Sequence, residues 1–182
     1  METVKPKRGN NPCIIFVGRF QPFTLAHQRV VLDAWNQHKL PVMVVRVEGK
    51  NRNKKSPFGW WESALVIHKS LDFKDLQYNQ IVCGTAYIGH ILERVRLKNF
   101  EPKFWYAGSD RLSSYEKQLK LYSKQLNCNI KLINVYRSEI SATKVREVLL
   151  ENDFKAFQGM VSENIYGMFG VLRNQVIDII NI

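Results

Sequence analysis

The sequence predicts an α/β fold: an open, parallel five-stranded sheet with helices on both faces, followed by C-terminal helices. Three observations carry that prediction. Apolar runs of strand length recur along the chain, amphipathic helical patterns alternate with them, and the apolar runs lack the in-out alternation of strands with one wet face. The runs are "CIIFV" (13–17), "VMVVRV" (42–47), "NQIVC" (79–83), "KFWYA" (103–107) and "IKLINV" (130–135). Helical patterns at 27–38, 60–71, 88–98 and 114–126 separate them, which gives a βαβαβαβαβ order with right-handed crossovers.

Each element has its own reason. The first strand is five apolar residues, and the helix-like run "QRVVLDAWNQ" follows it after a loop rich in turn-formers. In the fourth helix Tyr115, Leu119, Tyr122 and Leu126 recur at four, three and four residues, one buried stripe. After the fifth strand come "TKVREVLLEN" and a final helix on which Ile165, Phe169, Leu172, Val176 and Ile180 trace an apolar face.

Composition bounds the rest. Of 182 residues, 45% are hydrophobic and 12% aromatic, which is globular usage, and no apolar run approaches the roughly 20 residues of a membrane helix. A basic, disordered tail is expected over 1–12 and a single domain over 13–182. Three cysteines, Cys13, Cys83 and Cys128, lie outside metal-ligand spacing of one another and of any histidine, and suit a reduced, cytoplasmic setting. The net charge of +11 favours anionic partners, nucleotides and nucleic acid alike. Part of that excess is the run Lys50, Arg52, Lys54, Lys55, which reads equally as a solvated loop or as a lure for anionic substrates.

In open α/β sheets, ligands bind beyond the carboxyl ends of the strands, so the loops after the strands are the places to look. "GRFQPFTLAH" (18–27) follows the first strand. Gly18 permits a sharp turn and close backbone approach, Pro22 fixes a torsion, and Thr24 and His27 fall on one face of a helix beginning near Leu25. Such a helix N-terminus favours an anion. Ser141 and Thr143 in "SEISATKVRE" read either as helix caps or, with Arg146 a turn later, as a second phosphate cradle. "AGSDR" (107–111) brings Gly108 and Asp110 to another carboxyl edge, as a cap or as a contact to base or ribose. His90 in "YIGH" reads as a local helix-start residue, and His38 and His68 as surface residues. No G-x-G-x-x-G turn follows the first strand, which excludes a dinucleotide-dependent oxidoreductase.

"GRFQPFTLAH", "AGSD" and "ISATKVR" resemble, in order and spacing, the G-x-F-x-P-x-[H/T]-x-G-H, G-x-D and I-S-x-T-x-x-R signatures of the nucleotidyltransferase superfamily. Within it the chain is most similar to archaeal-type and phage-encoded nicotinamide mononucleotide adenylyltransferases, from residue 13 onward. The sequence departs from the pattern at Thr24, where a histidine is usual, at Ala26, where a glycine is usual, and at Ser56 and Ser63 in "SPFGWWES", where N-P-F with a downstream E-R pair is common. Thr24 is also found in the phosphopantetheine adenylyltransferase branch.

The resemblance implies a Rossmann-like fold and an enzyme that transfers AMP from ATP to nicotinamide mononucleotide, giving NAD and pyrophosphate, with Mg²⁺ carried on the triphosphate. A phage-encoded member would work in its host's cytoplasm. It implies His27 at the α-phosphate, Thr24 orienting the phosphates, and Arg19 and Arg146 on the triphosphate tail. Gly18, Phe20, Gly108, Ser141 and Thr143 would complete the ATP site, with Asp110 at the nucleoside end. Phe58, Trp60 and Trp61 lie where the acceptor is chosen, one tryptophan as core and the other as a stacking surface. The alternatives are a cytidylyltransferase or adenylyltransferase with another phosphorylated acceptor, and a non-catalytic nucleotide- or nucleic-acid-binding module. Oligomeric state is not legible, and no membrane partner is expected.

Overall fold

The strands form where the apolar runs predict them: β1 (Asn11–Gly18), β2 (Val42–Val47), β3 (Tyr78–Cys83), β4 (Phe100–Gly108) and β5 (Lys131–Val135). The computed structural model describes residues 8–136 and 138–181, the side chains of residues 123 and 124 excepted. All four strand pairings are parallel and the order is β3-β2-β1-β4-β5, so the chain reverses direction across the sheet between β1 and β4. The helices are α1 (Leu25–His38), α2 (Trp60–Ser70), α3 (Ile88–Leu97), α4 (Ser109–Leu126), α5 (Ala142–Leu150), α6 (Phe154–Gln158) and α7 (Phe169–Ile180), with a 3₁₀ turn at Glu163–Met168.

Cα proximity divides the chain into two units. The first comprises the described part of Met1–Gly18, with Ala34–Val47 and Gln77–Tyr136, and contains the whole sheet. One face of that sheet carries Cys13, Ile15, Val17, Met43, Val45, Ile81, Trp105 and Ala107, packed against Ile88, Ile91, Leu92 and Val95 of α3 and Tyr115 of α4. Leu119 and Leu126 of the expected α4 stripe join this cluster. On the other face Phe104 and Tyr106 meet the end of α1: the His38 ring stacks on Phe104 at 3.7 Å, and its Nε2 lies 3.0 Å from the Tyr106 hydroxyl. His38 is therefore a packed, hydrogen-bonded residue, not the surface residue the sequence suggested. At the sheet's amino end Arg96 donates to both oxygens of the buried Glu101 carboxylate, at 2.9 and 2.8 Å.

The second unit comprises Arg19–Asp33, Glu48–Leu76 and the described part of Arg137–Ile182. Here α2 buries Val66 and Ile67, α5 buries Val145 and Leu149, and α7 buries Leu172 and Val176, the face predicted for the last helix. Ile180 ends that face exposed.

Several boundaries differ from the sequence reading. β1 starts at Asn11, because Asn11 and Pro12 already pair with Phe100 and Glu101. Of the tail expected over 1–12, residues 1–7 lie outside the described residues. Arg8 Nε donates to the Asn127 carbonyl at 2.6 Å, and a Cβ on Gly9 would come within 2.3 Å of the Phe100 carbonyl carbon. α4 begins at Ser109, five residues before the pattern suggests, since its polar first turn shows no apolar period. The C-terminal helix is broken at Met168, and α6 is an additional short helix capped by Asp153, whose carboxylate accepts from Ala156 N at 2.9 Å.

Candidate active site

The loop after β1 turns through an unusual residue. Gly18 ends the strand in register with Arg46, and no glycine among the described residues has a positive φ. The left-handed position is Phe20, at φ 51°. A bulky residue there is held only by its surroundings. Its ring, 3% exposed, lies 5.3 Å from Phe23 and 5.1 Å edge-on from His27. Phe23 meets the other side of the imidazole at 5.3 Å. The strain therefore locates a histidine.

The hydrogen bonds then fix its protonation. Thr24 N donates to His27 Nδ1 at 3.0 Å, and Thr24 Oγ1 lies 3.1 Å from the same nitrogen. An acceptor nitrogen bears no proton, so Nε2 carries it. Burial pushes the imidazole down to about 4, which keeps it neutral at pH 7. His27 is thus a neutral N–H donor in the first turn of α1. Thr24, expected on the phosphates, is 1% exposed, lies outside the cleft lining, and holds the histidine instead.

The cleft around His27 has a volume of about 400 Å³ and is lined by Arg19, Phe20, Gln21, Lys55, Ala142, Thr143 and Arg146. Three cations and one imidazole face it, with no carboxylate in the lining among the described residues. Ala142 and Thr143 open α5, so the helix's first N–H groups add to the positive field. Arg146 is fixed by Nη1 donating to the Gln21 carbonyl at 2.5 Å and Nη2 to Thr143 Oγ1 at 3.1 Å. Burial, and then the neighbouring Arg19 charge, push its guanidinium down. Two like charges held together make a site for a multiply charged anion. Ser141 caps α5, accepting from Lys144 N at 3.2 Å, which is the plainer of its two expected roles.

One lining side chain was not singled out from the sequence, and another was read only as one of a basic run. Gln21 is 4% exposed: its Oε1 accepts from Phe58 N at 3.0 Å, its Nε2 donates to Ser63 Oγ at 3.0 Å, and its carbonyl receives Arg146. A buried glutamine with three such partners ties the loop before α2 to the arginine. It sat unread inside "GRFQPF". Lys55, one of the ambiguous basic run, is the member that reaches the cleft.

The remaining expected residues fall elsewhere. Phe58 is 4% exposed and belongs to the interior, whereas Trp60 and Trp61 are 64% and 61% exposed and do not line the cleft. The expectation of one core tryptophan is thereby corrected. Gly18, Gly108 and Asp110 belong to the first unit. There Asp110, in the first turn of α4, lines a cavity of about 390 Å³ with Thr85, Tyr87, Arg111, Ser114 and Gln118. Gly108 caps α4 without a side-chain bond, and a Cβ on it would come within 2.7 Å of Asp110 Oδ1. His90 is exposed in the first turn of α3, its ring 5.6 Å from Tyr87.

Within the second unit, the loop after β1 and the start of α1 present a histidine, and the N-terminus of α5 bears an arginine. The chain belongs to the cytidylyltransferase-like family, whose profile matches residues 15–148. It is 23% identical over 149 residues to nicotinamide-nucleotide adenylyltransferase 1 of Sulfolobus acidocaldarius, covering 78% of this chain and 79% of that protein. It is also 23% identical over 163 residues to nicotinamide-nucleotide adenylyltransferase of Sulfurisphaera tokodaii, covering 87% and 91%. Among solved structures, a bifunctional NMN adenylyltransferase/ADP ribose pyrophosphatase of Francisella tularensis, complexed with AMP and an Mn ion, matches with TM-score 0.64 and 16% identity. That match covers 94% of this chain and 52% of the other, so the chain spans about half the length of the bifunctional protein. A Plasmodium falciparum nicotinic acid mononucleotide adenylyltransferase complexed with NaAD matches with TM-score 0.59 and 17% identity, covering 92% and 95%. These likenesses establish the Rossmann-like fold. Among the described residues, no helix is long and apolar enough to cross a membrane.

Proposed function

We propose that the chain transfers AMP from ATP to nicotinamide mononucleotide, giving NAD and pyrophosphate. The observation that carries this reading is the cleft of Arg19, Lys55 and Arg146 around a neutral His27. The names of the two archaeal relatives support the choice of acceptor.

The reaction needs no protein nucleophile. An oxygen of the acceptor's phosphate forms a bond to the α-phosphorus of ATP. The bond to the bridging oxygen breaks, and pyrophosphate leaves with the electron pair. Catalysis then reduces to alignment and charge stabilisation. His27 Nε2–H donates to a non-bridging α-phosphate oxygen as negative charge gathers there, and loses no proton in doing so. Thr24 holds the tautomer. Arg146, Arg19 and the α5 N-terminus take the β- and γ-phosphates, with Thr143 Oγ1 positioning Arg146. Lys55 adds charge for the incoming phosphate. Asp110 is assigned to the nucleoside end of ATP by the resemblance of "AGSD".

Among the described residues no three His, Cys, Asp or Glu side chains gather to hold a metal ion, and the cleft's donors are cationic. As the resemblance implies, a divalent ion such as Mg²⁺ would enter with the triphosphate, and the Francisella tularensis structure complexed with AMP and an Mn ion supports divalent metal use. The test is a panel of ATP or CTP with nicotinamide mononucleotide or nicotinic acid mononucleotide, read as pyrophosphate release and dinucleotide formed. NAD from ATP, lost with His27→Ala, is the expected result. Product only from CTP, or only with the acidic acceptor, overturns the assignment of nucleotide or of acceptor respectively.

A further inference from the structure

An exposed aromatic pair lies outside the cleft lining. Trp60 and Trp61, 64% and 61% exposed, stand together at the start of α2 with ring centroids 5.7 Å apart and planes at 81°. Exposed tryptophans are costly to leave in water, and two together mark a surface that is used. The loop leading into them, Gly49–Trp61, contains Lys50, Arg52, Lys54 and Lys55 and no acidic residue. All four cations are exposed.

This loop is built rather than loose. Asn53 and Ser56 exchange backbone hydrogen bonds at 3.1 and 2.8 Å, and Asn53 Oδ1 accepts from the Lys55 and Ser56 amides at 2.9 and 3.1 Å. Arg52 donates to the Pro57 carbonyl and, at 3.2 Å, to the Gln175 carbonyl, while Gln175 Oε1 accepts from Gly59 N at 3.0 Å. Arg52 and Gly59 are thereby fastened to α7, and the tryptophans begin a helix whose other face is buried. Phosphate-attracting charge and flat apolar rings are displayed on one short, pinned segment.

We propose that this segment binds single-stranded nucleic acid, with bases stacking on Trp60 and Trp61 and the strand's phosphates neutralised by Lys50 and Lys54. The chemistry selects this partner on two counts. Aromatic faces offer sequence-tolerant stacking to unpaired bases, and lysines just before them in the chain supply positive charge for a phosphodiester backbone. An anionic membrane would call for apolar side chains continuous with the two rings, but Val66 and Ile67 of the same helix are buried and the flanking loop is Asn51, Asn53 and lysines. The surface stands independently of AMP transfer, since neither tryptophan lines the cleft.

The test is fluorescence anisotropy with labelled twelve-nucleotide oligo-U and oligo-dT between 50 and 200 mM salt. Binding should weaken with salt, with a log–log slope of about −1.5 to −2 for two to three phosphates neutralised. Trp60→Ala/Trp61→Ala should weaken it at least about tenfold. Lys50→Glu/Lys54→Glu should flatten the slope. Trp60→Phe/Trp61→Phe, which keeps aromatic faces, should restore much of the binding and so separates stacking from misfolding. The proposal is overturned by absence of binding at 50 mM salt, by binding indifferent to the tryptophans, by equally tight binding of UMP, or by capture on anionic phospholipid vesicles without oligonucleotide binding. A raised KM for the acceptor in the tryptophan variants, with oligonucleotide affinity unchanged, would return the pair to the acceptor site. Pyrophosphate release from ATP and acceptor, measured on the same preparations, reports the enzymatic reading separately.

Discussion

Two arginines in this chain, the buried Arg96 and the half-buried Arg146, have opposite surroundings. Arg96, in the sheet unit, meets both oxygens of Glu101, so its charge is answered from within. Arg146, in the second unit, donates to a carbonyl and a hydroxyl and shares its cleft with Arg19 and Lys55. The first arrangement serves folding. The second holds positive charges together at an energetic cost that a bound polyphosphate would offset, a division expected between a structural core and a site for an anion.

The largest effect that would sharpen this contrast is on stability. Arg96→Met leaves Glu101 buried without its partner and should destabilise the fold by about 3–5 kcal/mol in denaturant titration. Arg146→Met should leave the midpoint within about 0.5 kcal/mol, or raise it slightly, by relieving repulsion with Arg19. Equal losses in both would erase the distinction. Next in size, His27→Ala should lower kcat by about a hundredfold to a thousandfold, as for removal of one donor to a transition-state oxyanion, without unfolding the protein.

A smaller effect tests the link to Arg146. Gln21→Met keeps the side chain's shape but removes its bonds to Phe58 and Ser63, and should reduce kcat/KM by about tenfold, of the order of a broken positioning contact. In an Arg146→Met background the same change should have little further effect. Full additivity would mean that Gln21 acts on the fold alone.

A further effect is on pH dependence. The unfolded chain's histidine takes up its proton near 6.5, whereas native His27 resists protonation until about 4. Its contribution to stability is therefore complete above 6.5 and declines as pH falls through that window, by up to about 1.4 kcal/mol per pH unit. His27→Gln should remove that part of the slope. NMR titration of the ring would give the value directly, and a midpoint near 6.5 would contradict the burial that pushes the imidazole down.

How legible these features are in sequence varies with their physical origin. Parallel strands buried on both faces are written as uninterrupted apolar runs, and β2 coincides with "VMVVRV" over 42–47. Helix α4 is less legible, because its first turn is polar and only its later residues repeat at helical spacing. The residues of the cleft were readable as types, since a histidine and a hydroxyl-rich helix start with an arginine carry a motif. Their division of labour was not. Thr24 looks like a phosphate ligand in sequence and is a support for His27 in space, because its backbone N–H and hydroxyl turn toward the ring.

Gln21, Lys55 and the tryptophan pair show the same limit. Nothing local distinguishes Gln21 from any loop glutamine, and its partners lie 37 and 42 residues away along the chain at Phe58 and Ser63. Lys54 and Lys55 are adjacent and identical in type, yet only Lys55 lines the cleft. The sequence by itself determined the βα order, the family signatures and the excess of positive charge, since these depend on residue type and spacing. Tertiary structure decided which charges are paired, which nitrogen of His27 bears the proton and that both tryptophans face solvent. Burial and hydrogen-bond partnership are properties of neighbours brought together from distant parts of the chain.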